Sequence, residues 1–496
     1  AGTAGTSGTP AVGVSATSNL LLKATGATSD IVLNATVSSS GGDISLSSGR
    51  SVLQNYVDAY NAGQLTNTGN GFSIEVTATN AITMADGTIT STAGATTPGN
   101  IRYKTTTGNI TLGQLNAGVA SVAVLATAGS ILDADTNDGN DITAASLILN
   151  AGTAIGAGTN ALETNVDTLS TLSANGGAFI TEASALTIDS LSFVANQVAT
   201  SGVSSAIATL TQEDARTQET AGTPVGGLTS ALVIQAGGTL TINAGTAGTS
   251  GTPAVGVSAT GNLLLKTTTG SAGDIVLNAT VSSSAGDISL TSDRDVLQNT
   301  AASYTDGNIM ATGTAKTVDV YAARNITMSS TVASTRSERS ITASGDVRLQ
   351  AAAGAIALGA ITATGKNVAL MALNGISDGD TTDDVTAATV LLKTTAAAGA
   401  VGALDDQLDT NVTTLAVSTG SGGAFLKDSS GLTIDTVTTT VNRVSAAGSS
   451  AAITPDSLQD ATTTGAGALV LEAGGTLTIN AGTAGTSGTP AVGVSA

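Results

Sequence analysis

DIVLNATVSSSGGDISLSSGRSVLQN, residues 30–55, carries three short runs in which branched aliphatic residues recur at every second position. Successive side chains in a strand point to opposite faces, so this alternation predicts three strands and not a helix. Gly, Asp, Asn and Ser between the runs supply turns. The runs begin at Asp30, Asp43 and Ser51, a spacing of about 8 to 13 residues, as in chains of many short strands. The stretch returns as DIVLNATVSSSAGDISLTSDRDVLQN at 274–299.

The repetition extends over the whole chain. AGTAGTSGTPAVGVSA stands at 1–16, at 244–259 and at 481–496. ALETNVDTLS (161–170) answers QLDTNVTTLA (407–416), GGAFITEASALTIDSLS (176–192) answers GGAFLKDSSGLTIDTVT (422–438), and ALVIQAGGTLTIN (231–243) answers ALVLEAGGTLTIN (468–480). Residues 1–243 and 244–480 therefore read as two versions of one long unit, and 481–496 as the start of a third. A solenoid ordinarily closes on an atypical capping repeat, so the expectation is a window of a longer tandem array. Pro10, Pro253 and Pro490 hold one place in the repeated phrase, whose glycines suit a loop between units.

Composition narrows the architecture. Of 496 residues, 41% are apolar, 2% aromatic and 10% charged, with 61 Gly and no Trp. That is too aliphatic for disorder and too poor in aromatics for an array of β-sandwiches with aromatic anchors. Propeller signatures and the calcium-binding nonapeptide are absent. The expected fold is all-β: a right-handed parallel β-helix whose narrow interior takes Val, Ile, Leu, Ala and Thr. Rungs of roughly 20 to 25 residues stacked at about 4.8 Å would give a rod on the order of 100 Å. Residues 193–230 and 439–467 lose the alternation and read as surface loops off the rod. TQEDARTQE (211–219) reads as one short surface helix.

Net charge is −20, from 36 acids against 16 bases, with no basic cluster. Phosphate recognition needs Lys and Arg gathered on one face, so nucleic acid is not an expected partner. There is no Cys and no His, which excludes disulfides, thiol chemistry and Cys/His metal sites. No apolar stretch reaches about 18 residues, so no membrane span is expected, and residues 1–16 lack the features of a signal peptide.

GDISLSSGRSVLQN, LVIQAGGTLTIN and GGAFITEASALTIDSLS resemble the repeats of giant bacterial surface proteins of the filamentous-haemagglutinin type. The resemblance runs over nearly the whole chain as a style of repeat. It implies a β-helical fibre or adhesin, an extracellular location at the bacterial surface, attachment or fibre function, and no catalysis. The family's secretion domain carries an Asn-Pro-Asn-Gly motif, and none of the six prolines here lies in one.

The expected function is structural: an extracellular bacterial filament built by end-to-end stacking of units, with the chain itself as partner. The alternative is the stalk of a large adhesin that meets a host or neighbouring cell surface or its glycans. A polysaccharide-active enzyme is the third reading, on the acidic positions Glu163, Asp409, Glu182 and Asp428. Few aromatics to stack sugars and no His for proton transfer weigh against it, so the chain is read as not an enzyme. Oxygen-only acidic clusters point to Ca²⁺ as the candidate cofactor. The residues are Asp133, Asp135, Asn137, Asp138 and Asp141 in DADTNDGND, and Asp378, Asp380, Asp383 and Asp384 in the second unit. The first is not an EF-hand loop: Asp138 stands at the sixth position and Ala144 at the twelfth. The sequons at Asn34, Asn109, Asn278, Asn325 and Asn411 read either as glycan acceptors or as strand-end asparagines stacked in ladders.

Overall fold

The computed structural model describes residues 5–6, 11–58, 61–135, 139–219, 230–245, 254–268, 270, 272–302, 305–328, 339–378, 383–480 and 491–496, with only the backbone of 300–302 and 305–306. These residues are all-β; none is helical. No described helix is therefore long and apolar enough to cross a membrane. Contacts divide the chain into two compact units, Ala1–Gly237 and Gly238–Ala496. The boundary taken from the repeated phrase lies a few residues later.

In the first unit the chain visits three columns of parallel strands in turn. In one column the register runs Leu20↔Ile44↔Ile74↔Ile101↔Val122↔Leu147↔Leu169. In the second it runs Ile31↔Val52↔Ile82↔Ile110↔Ile131. The third passes through Val37↔Leu65↔Thr90↔Leu115↔Ile142↔Thr164. We call one strand from each column a tier. Parallel strands need a crossover between them, and here each crossover is the rest of a tier. Period-2 alternation sends the laddered residues inward, where Ile44, Ile74, Ile101, Val122, Leu147 and Leu169 are fully buried. Rows of branched aliphatics a strand spacing apart exclude water along the whole column.

The second unit repeats the plan. Its columns run Leu263↔Ile288↔Val318↔Val347↔Val368↔Val390↔Leu415, Leu240↔Ile275↔Val296↔Ile326↔Ile356↔Ile376↔Val401 and Val257↔Val281↔Ile309↔Ile341↔Ile361↔Val385↔Thr410. Gly13 and Gly256 mark the same register shift in the VGVSA strand of each unit. A Cβ on Gly256 would lie 2.3 Å from the Asn243 carbonyl oxygen, so this bulge needs glycine. Thus the end of the repeated phrase is a strand, Val12–Ala16 and Val255–Ala259. Pro10, Pro253 and Pro490 lie outside the described residues.

One large side chain enters the first unit's interior. Tyr103 is fully buried, and its hydroxyl donates to Gln54 Oε1 at 2.6 Å beside Thr90 Oγ1. Burial pushes its phenol pKa up. Asparagines at strand ends stack side chain to side chain: Asn55 Nδ2 donates to Asn34 Oδ1 at 2.8 Å, Asn299 to Asn278 at 3.0 Å, and Asn278 to Asn243 at 2.9 Å. These amides are engaged in ladders, the second of the two readings of the sequons.

Two expectations are corrected. The segments read as surface loops contain paired antiparallel strands that lie back across the first column. In the first unit Leu191–Phe193 pairs with Leu210–Gln212, and Asn196–Val198 with Ser204–Ala206. In the second, Val437–Thr439 pairs with Asp456–Leu458, and Asn442–Val444 with Ser450–Ala452. We call each hairpin a strap. The short helix expected over 211–219 is absent: Leu210–Gln212 and Ala215–Thr217 are strands, and Asp214 between them turns the chain with φ 62°. Asp460 holds the equivalent place with φ 66°. Aspartate tolerates this left-handed conformation better than most side chains.

Candidate metal centre

Asp133 closes the strand Ile131–Asp133, Asp141 immediately precedes Ile142–Ala151, and Glu163 lies in Leu162–Ser173 of the next tier. The ladder fixes the last two. Asp141 N–H donates to the Glu163 carbonyl at 2.9 Å, and Glu163 N–H donates to Asp141 Oδ2 at 2.9 Å. The loop after Asp133 brings the third carboxylate in, its Oδ1 accepting from Asp135 N–H at 3.0 Å. One oxygen from each of the three lies within 4.8 Å of the others.

The electrostatics are unfavourable for three ionised groups. Asp141 is 5% exposed and the other two are half-buried. Asp133 Oδ2 and Glu163 Oε2 are buried without a hydrogen-bond partner. Burial first, and then the neighbouring carboxylates, push Asp141 up to about 9 and Glu163 up to about 7. Such a trio either holds protons or takes a cation, and all-oxygen ligands at this separation suit Ca²⁺. A cavity of about 150 Å³ adjoins it, lined in part by Asp86, Gln114, Asp135, Asn140 and Asp141.

The sequence named Asp133, Asp135 and Asp141 together, and the structure joins Asp133 and Asp141 while Asp135 faces the cavity. Asn137 and Asp138 lie outside the described residues. Glu163 was read as part of a different chemistry. Its signal was the acid it shares with Asp409 in the paired phrases, but only the ladder shows that it meets Asp141.

The second unit builds the same backbone geometry. Asp384 N–H donates to the Asp409 carbonyl at 2.9 Å, and Asp409 N–H to Asp384 Oδ2 at 3.2 Å. Asp378 and Asp384 are buried, Asp383 accepts from Ser429 Oγ at 3.3 Å, and Asp380 lies outside the described residues. One residue changes the charge balance. Glu163 pairs in register with Thr181, whereas Asp409 pairs with Lys427, whose Nζ lies 3.6 Å from Asp409 Oδ1. An ammonium in the second unit thus occupies the neighbourhood where, among the described residues, the first has the neutral Thr181.

Glu182 and Asp428 have a different role. Glu182 is buried and accepts from Thr164 Oγ1, Val166 N–H, Ser184 N–H and Ser184 Oγ at 2.7 to 3.0 Å. Asp428 accepts from Thr410, Val412 and Ser430 in the same pattern at 2.8 to 2.9 Å. Each carboxylate staples two tiers, and four donors fill its acceptor sites.

No family model, curated protein or solved structure matches the chain.

Proposed function

We propose that the chain is a right-handed parallel β-helix that serves as a structural unit of an extracellular bacterial surface filament, its units stacked end to end. The observation that supports this is the pair of units whose three columns repeat ladder for ladder. Parallel backbone pairing propagates along such a column, and each added tier covers the edge of the last. Immunogold electron microscopy of the source cells with antibody to AGTAGTSGTPAVGVSA tests the reading. Label at regular intervals along fibres of constant width is the expected result. Label confined to spikes that end in a distinct tip would replace the filament with the adhesin stalk.

A second reading concerns the first unit alone. The orphaned oxygens of Asp133 and Glu163, and Lys427 at the matching place in the second unit, favour Ca²⁺ held by Asp133, Asp141 and Glu163. Calorimetric titration of the chelator-treated chain with CaCl₂ should give one site per chain, lost in Glu163→Gln and in Thr181→Lys. Binding that survives Thr181→Lys would remove this reading.

A further inference from the structure

The straps connect tiers that are otherwise in contact only with their immediate neighbours. In a stack of that kind the end tier opens at the cost of one interface, and opening spreads inward step by step. The outward row of the first column in the first unit reads Ser45, Glu75, Arg102, Ala123, Ile148, Ser170. In the second it reads Ser289, Asp319, Arg348, Ala369, Leu391, Ala416. Each row opens on a leucine of the earliest strand, Leu21 or Leu264, and then passes from a polar stretch, Ser45 to Arg102 and Ser289 to Arg348, to an apolar one, Ala123 with Ile148 and Ala369 with Leu391 and Ala416, and each strap matches these two stretches.

In the first unit, Phe193 and Ala195 pack on Ala123 and Ile148. Further toward the tip, Asn196 N–H donates to Ser73 Oγ at 3.2 Å and its Nδ2 to Asp43 Oδ2 at 3.3 Å, Val198 N–H donates to Ser45 Oγ at 2.8 Å, and Ser204 Oγ to Asp43 Oδ2 at 2.5 Å. The tip reaches the earliest strand of the column, where Asn19 Nδ2 donates to the Gly202 carbonyl at 3.0 Å. The root is held by the late tiers: Asn150 Nδ2 donates to Gln212 Oε1 at 3.0 Å, and Thr171 N–H to the Asp214 carbonyl at 3.0 Å.

The second unit repeats the latch. Val437 packs on Ala369, Leu391 and Ala416. Asn442 N–H donates to Thr317 Oγ1 at 2.9 Å, Val444 N–H to Ser289 Oγ at 2.9 Å, Ser450 Oγ to Asp287 Oδ2 at 2.6 Å, and Asn262 Nδ2 to the Gly448 carbonyl at 2.9 Å. Burial disfavours the charge on Asp287, but donors from Ser450, Thr317 and Asn442 outweigh it and hold its carboxyl below the usual range.

We propose that each strap is a clamp that fastens the early strands of the first column to its late ones, so that these strands open together and not one at a time. Leu20–Ala24 and Ile44–Ser48 can leave the column together only after the tip contacts at Asn19, Asp43 and Ser45 are broken, and the strap that makes them is anchored at Asn150 and Thr171. This holds for an isolated chain, so its failure leaves the filament reading untouched, and failure of the filament leaves the clamp.

Hydrogen exchange of the intact chain, followed by mass spectrometry, tests it. In the parent protein, Leu20–Ala24, Ile44–Ser48, Ile74–Ala78 and Ile101–Thr105 should share one protection level. Asn196→Ala with Ser204→Ala should speed exchange in Leu20–Ala24 and Ile44–Ser48 on the order of tenfold, leaving Leu263–Thr267 and Ile288–Ser292 of the second unit unchanged. Protection that is already graded in the parent, or early strands that ignore the double substitution, would overturn the clamp. A lock gives the converse. The chain has no cysteine, so any disulfide that mass spectrometry detects in Ser45→Cys with Val198→Cys is the introduced one, and that oxidised form should exchange more slowly in the same two strands than the reduced form. Equal rates in the two forms would also overturn it.

Discussion

Arg348→Ala should cost the second unit about 1.5 to 3 kcal/mol, the range for lost hydrogen bonds to charged groups, because Asp319 keeps a second arginine as partner. Arg348 is buried and its guanidinium donates to three acceptors: Asp319 Oδ1 at 3.1 Å, Asp456 Oδ2 of the strap at 2.6 Å, and Gln350 Oε1. Its side chain is 9% exposed and that of Asp319 only 1%. Arg443 Nε of the strap, 2.7 Å from Asp319 Oδ2, would be left as the sole cation paired with it. Arg348→Lys keeps a charge but not the planar fork that serves three acceptors at once, so it should recover only part of the loss. Native-state exchange of Val318–Ala322 reads the difference. The first unit supplies the contrast. Arg102 pairs with Glu75 at the same place in the register. Burial already raises the Glu75 pKa despite Arg102. Without the arginine this glutamate can take a proton instead of remaining an uncompensated charge. Arg102→Ala should therefore cost less than Arg348→Ala near pH 5 and approach it as pH rises. Equal costs at every pH would contradict this account of Glu75.

The second large effect is the response of the first unit to alkali. Asp141 and Glu163 have folded-state pKa values pushed up to about 9 and about 7. Groups raised in the folded state contribute stability that is fully present below their unfolded values, near pH 4. That contribution is lost as pH climbs through about 7 and then about 9, because the unfolded chain releases those protons earlier. In chelator the first unit should thus weaken between pH 6 and pH 9, by roughly a few kcal/mol at most. Calcium chloride should abolish the slope, since a bound cation favours the ionised carboxylates. Asp141→Asn should flatten it without calcium. The second unit, with Lys427 beside Asp409, should stay level over the same range. Exchange rates of Ile142–Ala151 and Val385–Thr394, measured across the pH series, test both units in one sample. A slope shared by the two strands, or one that calcium leaves intact, would contradict the assignment.

How much of this was legible in the sequence follows from the range of the interactions. Strands such as Ile44–Ser48 and Leu263–Thr267 announce themselves through alternation, because burial on one face is a local demand on every second residue. The duplicated phrases mark the two units for the same reason. The straps left no such mark. Their strands are three residues long, and several of their contacts join a backbone N–H to a serine or threonine hydroxyl far away in sequence, as Val198 meets Ser45. Serine and threonine in a low-complexity stretch carry no address, so 193–230 reads in sequence as surface loop. TQEDARTQE has helix-forming residues, yet Gln212 is claimed by Asn150 and Leu149, and Ala215–Thr217 by the ladder at Thr171–Ser173. Tertiary pairing overrode propensity there. The acidic centre was half visible. Asp133 and Asp141 are close along the chain, whereas Glu163 joins them only through the register of the next tier.

The placement of the strap in the chain fixes the order in which a unit can be completed. Residues 191–212 follow every strand of the column that they cross, from Leu20–Ala24 onward. A chain that emerges N-terminus first, from a ribosome or through an export channel, forms the column before its fastening exists. When the hairpin appears it folds backward, toward residues made some 150 positions earlier, as the pairing of Ser204 with Asp43 across 161 positions shows. Until then the early tiers are held by neighbours alone and can still correct a misplaced register. Closure of the hairpin requires Asn19, Asp43 and Ser73, each one position ahead of the registered Leu20, Ile44 and Ile74, to lie in line, so vectorial folding makes the late hairpin an inspection of strands laid down before it.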